Sequence, residues 1–534
     1  MTSASTSTPS TSTWAPLASP VYRSLWIAQF VSNLGTWMQT VGAQWMLVDD
    51  PRAAVLVPLV QTATTLPVML LALPSGVLAD LIDRRRLLIA TQGAMAAGVG
   101  LLATLTGAGL TTPAVLLTLL FVIGSGQALT APAWQAIQPD LVPAQQIPAA
   151  AALGSMSVNG ARAIGPAVAG VLVSLSGPTL VFALNAVSFI GIVFVLIAWR
   201  RPAVKHDYPP ERALAALSAG GRFIRSSPIV RRILLRAALF IAPGSAIWGL
   251  LPVIARERLG LSSSGYGLLL GALGVGAVAG AFLLSGLRAR FAQNTLLSAG
   301  AAGFALATVV LALVPSFTIV LVALVIGGAS WLLSLSTLNA SMQLSLPAWV
   351  RARGLSVYQL IFMGGQALGS VVWGLIAGAT TSSTSLLVSA ALLVVCGLSA
   401  LWWPLHANTN NLDLTPSSHW PEPTLIFEPE PLDGPVLVLT AYRVASSDEE
   451  GFLAAMAVMG RSRQRTGASE WRLFRSVEHE STFVETFIVR SWGEHMHQHY
   501  TRLTGQDRLI EEAVERYTDG VPVSEHYLAV RDAR

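Results

Sequence analysis

Charged residues are scarce in this sequence. Asp, Glu, Lys and Arg make up 11% of its 534 residues, whereas a soluble globular domain carries roughly 25%. Hydrophobic residues make up 53% of the chain, and the mean hydropathy is +0.59. This composition excludes an ordinary soluble protein and is typical of a membrane protein.

Cysteine is nearly absent, and so are the usual cofactor motifs. Cys396 is the single cysteine, so the sequence allows no intrachain disulfide and no cysteine metal cluster. We find no GxxxxGK[ST] phosphate-binding loop, so ATP hydrolysis within this chain is not expected. The sequence therefore predicts no cofactor and no metal site.

Long apolar runs dominate what is present. A spanning helix needs roughly 20 predominantly apolar residues, and the sequence contains about twelve such runs. They lie approximately at 25–47, 55–78, 87–109, 115–136, 153–175, 179–199, 233–254, 266–287, 294–314, 319–341, 355–379 and 385–404. An even number of spans places both ends of the membrane region on the same side.

Basic residues in the connecting segments indicate which side that is. The loops on the side of the termini carry Arg84, Arg85, Arg86, Arg200, Arg201, Lys205, Arg212, Arg222, Arg225, Arg231, Arg232, Arg288, Arg290, Arg351 and Arg353. The opposite side carries Arg52, Arg256 and Arg258. By the positive-inside rule both termini are cytoplasmic, and the protein spans the cytoplasmic membrane. This asymmetry explains the net charge of +5 without a nucleic-acid partner.

Shifts in composition predict the domain organisation. The segment at 435–534 alternates strand and helix patterns in the order βαββ, helices and a closing strand, which suits a ferredoxin-like α+β domain. The expected class is therefore an all-α polytopic membrane protein of twelve helices with a soluble α+β tail. Its parts are a disordered tail at 1–20, a six-helix bundle at 21–200, an amphipathic cytoplasmic linker at 201–232, a second six-helix bundle at 233–405, a Pro-rich linker at 406–434 and the α+β barrel-like domain at 435–534.

The two halves of the membrane region show an internal repeat. A single offset of 204 residues aligns several glycines, prolines and arginines of one half with identical residues of the other. The matched pairs are Gly76 and Gly280, Arg84 and Arg288, Arg86 and Arg290, Pro143 and Pro347, Gly160 and Gly364, Gly165 and Gly369, and Gly170 and Gly374. This pattern predicts two bundles that arose by duplication.

Three stretches carry a resemblance to a known family. "GVLADLIDRRR" at 76–86 resembles the loop between helices 2 and 3 of the major facilitator superfamily, and "ARAIGPAVAG" at 161–170 resembles the helix 5 motif of its exporters. "SWGEHMHQHYTRLTGQDRLIEEAVERY" at 491–517 looks like the extension of the transmembrane secretion effectors, a branch similar to the enterobactin exporter and to macrolide efflux proteins. The sequence departs from the family motifs at Leu81, Asp83, Ala161 and Ala169.

The resemblance implies a gate in the first stretch. Its residues are Gly76, Asp80, Asp83 and Arg84, with Asp80 foremost. An aspartate at this position can cap a helix and pair with arginines of the other bundle. The alternative is a solvated loop whose arginines only anchor the chain on the cytoplasmic side.

Polar residues inside the spans are candidates for the substrate cavity. Arg162 lies well inside a predicted span, where burial in hydrocarbon costs at least about 2.5–3.5 kcal/mol, so we expect it to face a cavity or a partner. One face of the first span carries Gln29, Asn33, Trp37, Thr40 and Gln44. These side chains either line the cavity or bond neighbouring helices. Gln366 matches Arg162 in the repeat, and Asn339, Gln343 and Gln359 are weaker candidates.

Two further motifs favour structural explanations. Gly165, Pro166 and Gly170, with Gly160, are expected to loosen their helix and to allow close approach of the bundles. His495 and His499 are four residues apart, a spacing that zinc sites use. Because no cysteine or metalloprotease motif accompanies them, they are expected to be solvated helix residues.

The sequence leaves three functions open. The first is a secondary transporter that exports a small amphipathic molecule by alternating access, driven by protons. Its weak point is that acids occur only near span ends, at Asp49, Asp50, Asp140 and Glu257. The second is a membrane-tethered monooxygenase-like enzyme acting through the tail domain, which contains Trp471 and Trp492. The third is a tail domain that dimerises the exporter or senses its substrate.

Overall fold

Twelve long helices account for most of the described residues between 20 and 402. The computed structural model describes residues 12–199, 221–405, 413–417, 419–420 and 425–530. Within these residues the long helices are α1 (Pro20–Met46), α2 (Ala53–Leu81), α3 (Arg84–Gly107), α4 (Pro113–Leu141), α5 (Ile147–Ser176), α6 (Pro178–Ala198), α7 (Pro228–Glu257), α8 (Ser263–Arg290), α9 (Gln293–Leu313), α10 (Phe317–Leu344), α11 (Ala348–Ala379) and α12 (Ser382–Trp402). Most of the linker predicted at 201–232 lies outside the described residues; 221–226 is helical.

Eleven of these helices are long and apolar enough to cross a membrane. The prediction of a mostly helical polytopic membrane protein is therefore confirmed. Of the twelve described long helices, α1 is the one that is not apolar enough to meet the criteria for a membrane span. Its polar face, which includes Gln29, Asn33 and Gln44, lowers its mean hydropathy.

Local sequence signals start and stop the helices where expected. Ser19, Asp83, Thr112 and Thr381 each accept a hydrogen bond from a backbone N–H of the first turn that follows, which satisfies a donor left free at a helix start. The boundary between α5 and α6 is Gly177, whose φ of 72° is a left-handed conformation that favours glycine.

Matched glycines pack equivalent helix pairs in the two bundles. A Cβ atom on Gly165 would lie 2.8 Å from Trp37 Cβ on α1, and one on Gly369 would lie 2.6 Å from the Ala242 carbonyl oxygen on α7. Under the 204-residue offset, Trp37 corresponds to Ile241, the neighbour of Ala242. The helix 5 motif therefore packs against α1, and its repeat counterpart packs against α7, which supports the repeat.

A second pair of glycines joins the bundles to each other. A Cβ on Gly170 would lie 2.6 Å from the Ser263 carbonyl oxygen on α8, and one on Gly374 would lie 3.2 Å from Pro58 Cβ on α2. Pro58 and Ser263 occupy nearly equivalent repeat positions. The two halves of the membrane region thus meet through two related contacts, α5 with α8 and α11 with α2.

The described chain forms two compact units. Of the described residues, the first unit contains 12–199, 236–337 and 359–404; the second contains 221–235, 338–358 and those described between 405 and 530. The tail part of the second unit comprises β1 (Val436–Arg443), α13 (Glu449–Thr466), β2 (Glu470–Arg475), β3 (Thr482–Val489), α14 (Trp492–His497), α15 (Gly505–Glu515) and β4 (Val523–Leu528). The predicted order of strands and helices is confirmed.

The tail strands form one antiparallel sheet in the order β2-β3-β1-β4. Burial alternates along β3, as expected for a sheet with one covered face. Phe452 and Met456 of α13 pack there with Tyr442 and Phe483. The core also contains a fully buried carboxylate, Glu485, whose partners belong to the site described next.

Candidate functional site

Arg162 and two tryptophans meet at the middle of the membrane region. The Arg162 guanidinium on α5 lies 5.5 Å from the centre of the Trp37 ring on α1, within range of a cation–π contact. Trp37 in turn lies 6.2 Å from Trp248 of α7, in the second bundle. Arg162 is half-buried and forms no ion pair with a residue that the structure describes. This cationic and aromatic group is called the mid-membrane cluster below.

The polar face of α1 separates into two parts. Gln29 donates to Asn33 at 3.0 Å, and Asn33 donates to Ser157 of α5 at 3.1 Å. Thr40 donates to a carbonyl of its own helix, and all three predicted residues are half-buried. Gln44, by contrast, is buried; it donates to the Trp248 carbonyl at 3.0 Å and accepts from Tyr266. Gln44 therefore bonds neighbouring helices, which was the alternative to cavity lining.

Gln366 also makes a helix contact. Its side-chain oxygen accepts from Gln61 Nε2 of α2 at 2.9 Å, next to a 2.9 Å bond from Thr62 to the Ala367 carbonyl. The weaker candidates Asn339, Gln343 and Gln359 are all exposed. Gln343 Nε2 donates to Asn339 Oδ1 at 3.4 Å. Arg162 packs on Trp37. The four residues Gln366, Asn339, Gln343 and Gln359 are not part of that contact.

The predicted gate segment has a clear local structure at its second aspartate. Asp83 accepts from the Arg86 N–H at 2.9 Å and caps α3. Arg85 donates to the Leu196 and Ile197 carbonyls at 2.7 and 2.8 Å, so it binds the end of α6. Arg84 is half-buried in the first turn of α3. Gly76 and Asp80 lie on α2, but their surroundings are outside the part of the chain that the structure describes.

One rim acid joins the bundles at the face of the α1–α2 connection. Asp49 forms a 2.8 Å ion pair with Arg256 of α7. Both side chains are well exposed, so the pair contributes at most about 1 kcal/mol. Its position nevertheless marks this face as one where the two bundles touch.

The tail domain encloses a cavity of about 810 Å³, called the tail cavity below. His499 and His526 line it, and His495 lies directly behind them with no exposed surface. The prediction of solvated histidines is thus wrong for both His495 and His499, because the sheet, Trp420 and Trp492 cover them.

The three imidazoles, called the histidine cluster below, favour the neutral form. Burial lowers the pKa of His495 to about 3, with further lowering from His499 and His526. Burial and the neighbouring His526 and Arg463 lower the pKa of His499 to about 4, and burial also lowers the pKa of His526. At neutral pH each ring therefore has a nitrogen lone pair available.

A buried ionic network forms the wall beside the cluster. Arg463 of α13 pairs with Glu511 at 2.6 Å and with Glu485 at 3.2 Å. Burial would raise the pKa of Glu511, but Arg463 and hydrogen bonds from His419 and Trp420 lower it overall. The predicted linker contributes these last two residues, so its described part packs on the domain.

Several of these residues were not found from the sequence. His526 is on β4, far along the chain from His495, and only the pairing of Val438 with His526 between β1 and β4 brings it close. Trp248 and Arg463 look like ordinary span and helix residues. Pairing of β1 with the closing strand was the one signal that could have placed His526.

Comparison with known proteins decides the family. The model of the transmembrane secretion effector family matches residues 11–533. The chain belongs to this family. The resemblance seen in the three sequence motifs is confirmed.

Relatives of known function agree with this assignment. The chain is similar to the enterobactin exporter of Salmonella choleraesuis, with 26% identity over 387 residues, 72% of this chain and 92% of the relative. The enterobactin exporter of Citrobacter koseri is 27% identical over 386 residues, covering 71% and 90%.

Two solved structures show the same fold in the membrane region. A bacterial homologue of the human lysosomal transporter Spinster has a TM-score of 0.60 at 17% identity, covering 72% of this chain and 97% of that one. A D-xylose-proton symporter has a TM-score of 0.58 at 12% identity, covering 73% and 99%. The protein is a multi-pass secondary transporter that exports a small molecule, and its family indicates a transporter rather than a membrane-tethered enzyme.

Proposed function

We propose that the protein exports a small amphipathic molecule of the siderophore, drug or secondary-metabolite class across the cytoplasmic membrane by alternating access of its two bundles. The contacts between the bundles carry this proposal. Gly170 with Ser263, Asp49 with Arg256 and Gln44 with Trp248 all lie at or toward the α1–α2 face. The basic loops favour the opposite face as cytoplasmic, so these contacts close the outer side.

The mid-membrane cluster is the proposed substrate site. A cation stacked on one tryptophan and adjoined by a second suits a molecule with an acidic group and a flat apolar part. Gln29, Asn33 and Thr40 extend this surface along α1. Gln366 has its side-chain oxygen bonded to Gln61, and we assign it to helix contact in this state.

Secretion of enterobactin tests the site, since that is the molecule named for the relatives. In bacteria that lack their own enterobactin exporter, the wild-type chain should restore secretion. Arg162→Gln should reduce it at least tenfold, and Arg162→Lys should retain part of it because the charge remains. Arg23→Gln, an exposed arginine at the start of α1, is the control. Equal secretion by Arg162→Gln and the control would rule out the site.

Asp80 is the proposed cytoplasmic gate, with Gly76 and Arg84 beside it. Asp80→Asn should impair secretion at unchanged membrane insertion, because the proposed ion pair between Asp80 and an arginine of the other half would lose its negative charge. Asp83→Asn should impair secretion less, since Asp80 is foremost in the proposed gate and asparagine still caps α3. Equal loss of insertion and secretion would instead favour the anchoring loop.

Proton coupling is proposed through an acid near a span end. Asp49 is ion-paired across the bundles, so protonation there would weaken an inter-bundle contact. Asp50, Asp140 and Glu257 are the other acids of this kind. Purified protein in vesicles should export faster under an imposed pH gradient; transport that ignores the gradient would remove the proton from the mechanism.

The finer architecture is also a proposal. We assign all twelve long helices as spans, α1 included, in bundles at 21–200 and 233–405, with both termini cytoplasmic. For the tail, the strand order β2-β3-β1-β4 with helices in both connections favours a ferredoxin-like fold at 435–534. Dimerisation through this domain is a further proposal, which light scattering of the purified protein would test.

A further inference from the structure

The histidine cluster has the geometry of a metal site. Its ligand nitrogens all lie within 4.8 Å of one another. The ring centroids are 4.9 Å apart for His495 and His499, 4.8 Å for His495 and His526, and 6.4 Å for His499 and His526. Imidazoles that bind one tetrahedral Zn²⁺ at about 2.0–2.1 Å have centroids about 5 Å apart. Two of the three centroid distances already match this spacing, and the rings of His499 and His526 must move closer to share one ion.

Unpaired nitrogens in a buried position support the same conclusion. Among the described residues, neither ring nitrogen of His495 has a hydrogen-bond partner, although His495 has no exposed surface. His499 Nε2, which is also buried, has no hydrogen-bond partner among these residues either. A buried polar atom left without a partner costs about 1–3 kcal/mol. A bound metal ion would satisfy one nitrogen of each ring.

We propose that His495, His499 and His526 bind one divalent transition-metal ion of the Zn²⁺ type, with the fourth coordination position open to the tail cavity. His499 and His526 line that cavity, so water or a donor group of a small molecule can reach the open position. Three histidines with an accessible fourth position are a ligand set that zinc uses outside purely structural sites.

Neighbouring residues complete the surroundings that such a site needs. Gln498 donates to Thr466 at 2.8 Å, which orients its amide, and its Oε1 has no partner among the residues that the structure describes. Gln498 follows His495 by three residues, about one helical turn, and its oxygen can accept the N–H of the metal-bound ring, as outer-shell acceptors do. Arg463, the cation beside the cluster, is itself paired with two carboxylates, Glu485 and Glu511.

The donor set decides the class of metal. Nitrogen ligands suit Zn²⁺, Cu²⁺, Ni²⁺ or Fe²⁺, whereas Mg²⁺ and Ca²⁺ prefer oxygen. Cu²⁺ binds such a site more tightly than Zn²⁺ does. Mg²⁺ should therefore fail to displace Zn²⁺, and Cu²⁺ should succeed.

Equilibrium dialysis of the full-length protein against Zn²⁺, followed by metal analysis, tests the proposal. The protein is purified without a polyhistidine tag, so that no added histidines bind metal. The wild type should retain about one Zn²⁺ per chain. His526→Gln and His495→Ala should weaken Zn²⁺ binding by more than the about 10- to 100-fold that loss of an outer-shell partner causes. His497→Ala, an exposed histidine on the same helix, should bind like wild type.

A second readout separates metal loss from misfolding. Co²⁺ in place of Zn²⁺ should give the visible absorption of a tetrahedral complex in wild type and in His497→Ala, and lose it in His526→Gln. His526 is only half-buried on the last strand of the sheet, so this variant should keep its wild-type circular dichroism. Wild-type protein that retains no Zn²⁺, or a folded His526→Gln variant that binds Zn²⁺ as tightly as His497→Ala, would overturn the site.

Discussion

Arg463 shows why single charges in the tail core depend on their partners. It is 6% exposed and lies between two carboxylates, Glu485 and Glu511. Burial opposes its charge, but these acids raise the pKa of Arg463 overall. Tyr442 and Trp471 donate to Glu485 at 2.7 and 2.8 Å, so the network is hydrogen-bonded on both sides.

Removing one charge from this network should destabilise the tail domain. We expect Glu511→Gln to lower the local free energy of opening by about 3 kcal/mol, because it leaves a buried cation with a single partner. Hydrogen exchange of α13 and α15 in the full-length protein measures this change. Glu512→Gln is the matched control, since its ion pair with Arg508 is exposed and contributes little. Similar exchange in Glu511→Gln and Glu512→Gln would mean that the ion pair between Arg463 and Glu511 does not stabilise the core.

For single residues, the sequence predicted which residues belong to the candidate site better than it predicted what surrounds them. Arg162 and Trp37 were candidates for one site, and the structure places them together. Asp83 was a candidate cap, and it caps α3. The histidines were assigned to solvent because spacing along a helix reports only local neighbours. His526, the member that completes the histidine cluster, arrives through strand pairing, which no local spacing encodes.

Helix packing at the two related inter-bundle contacts depends on the absence of side chains. Gly170 lies against the Ser263 carbonyl and Gly267, and Gly267 lies against the Pro166 carbonyl. Backbones that approach this closely gain packing contacts and exclude lipid. Because the contact lies near the C-terminal end of α5 and the start of α8, it should weaken whenever that side opens.

A methyl group at this contact should therefore shift the transporter toward a state that is open at the α1–α2 face. Gly170→Ala places a Cβ 2.6 Å from the Ser263 carbonyl oxygen, and we expect this overpacking to cost roughly 1–3 kcal/mol in the closed state. Disulfide cross-linking of an Asp49→Cys and Arg256→Cys pair, in a Cys396→Ser background, reports closure of the same face. The cross-linked fraction should fall.

The chain offers a control for this prediction. A Cβ atom added to Gly93 on α3 would meet no atom of the described residues within 4 Å, so Gly93→Ala should leave the cross-linked fraction unchanged. Gly374→Ala, which meets Pro58 in the related contact, should act in the same direction as Gly170→Ala. If the cross-linked fraction were unchanged in both Gly170→Ala and Gly374→Ala, the glycine contacts would not control closure of this face.

Element boundaries followed closely from hydrophobic runs and caps. Eleven of the described helices are apolar enough to be recognised as spans, and the tail strands match their alternating patterns. Hydrophobic runs did not reveal which helices meet, because a run of apolar residues has no preferred partner. The repeat supplied part of that information, since matched glycines pack against matched helices.

At the scale of the whole molecule, the second compact unit joins the tail domain to membrane-region segments. Glu494 of α14 pairs with Arg222, in the helical stretch 221–226, and with Arg502 at 3.1 Å. Arg502 stacks on Trp349 at 5.1 Å, and Trp349 packs edge-on against Phe223. One carboxylate thus ties the tail to the segment before α7 and, through Arg502, to the start of α11.

Removing this carboxylate should release the tail from those segments. Glu494→Ala leaves Arg222 and Arg502 partly buried without their shared acid, so we expect hydrogen exchange at 221–226 and 492–502 to rise roughly tenfold. Exchange in the β1 and β3 strands should stay at its wild-type rate, because Glu494 lies outside the sheet. Glu478→Ala, an exposed acid in the β2–β3 connection, should change neither region. Faster exchange confined to 492–502 would show that other contacts hold 221–226. The Glu494 carboxylate would then stabilise only the tail domain.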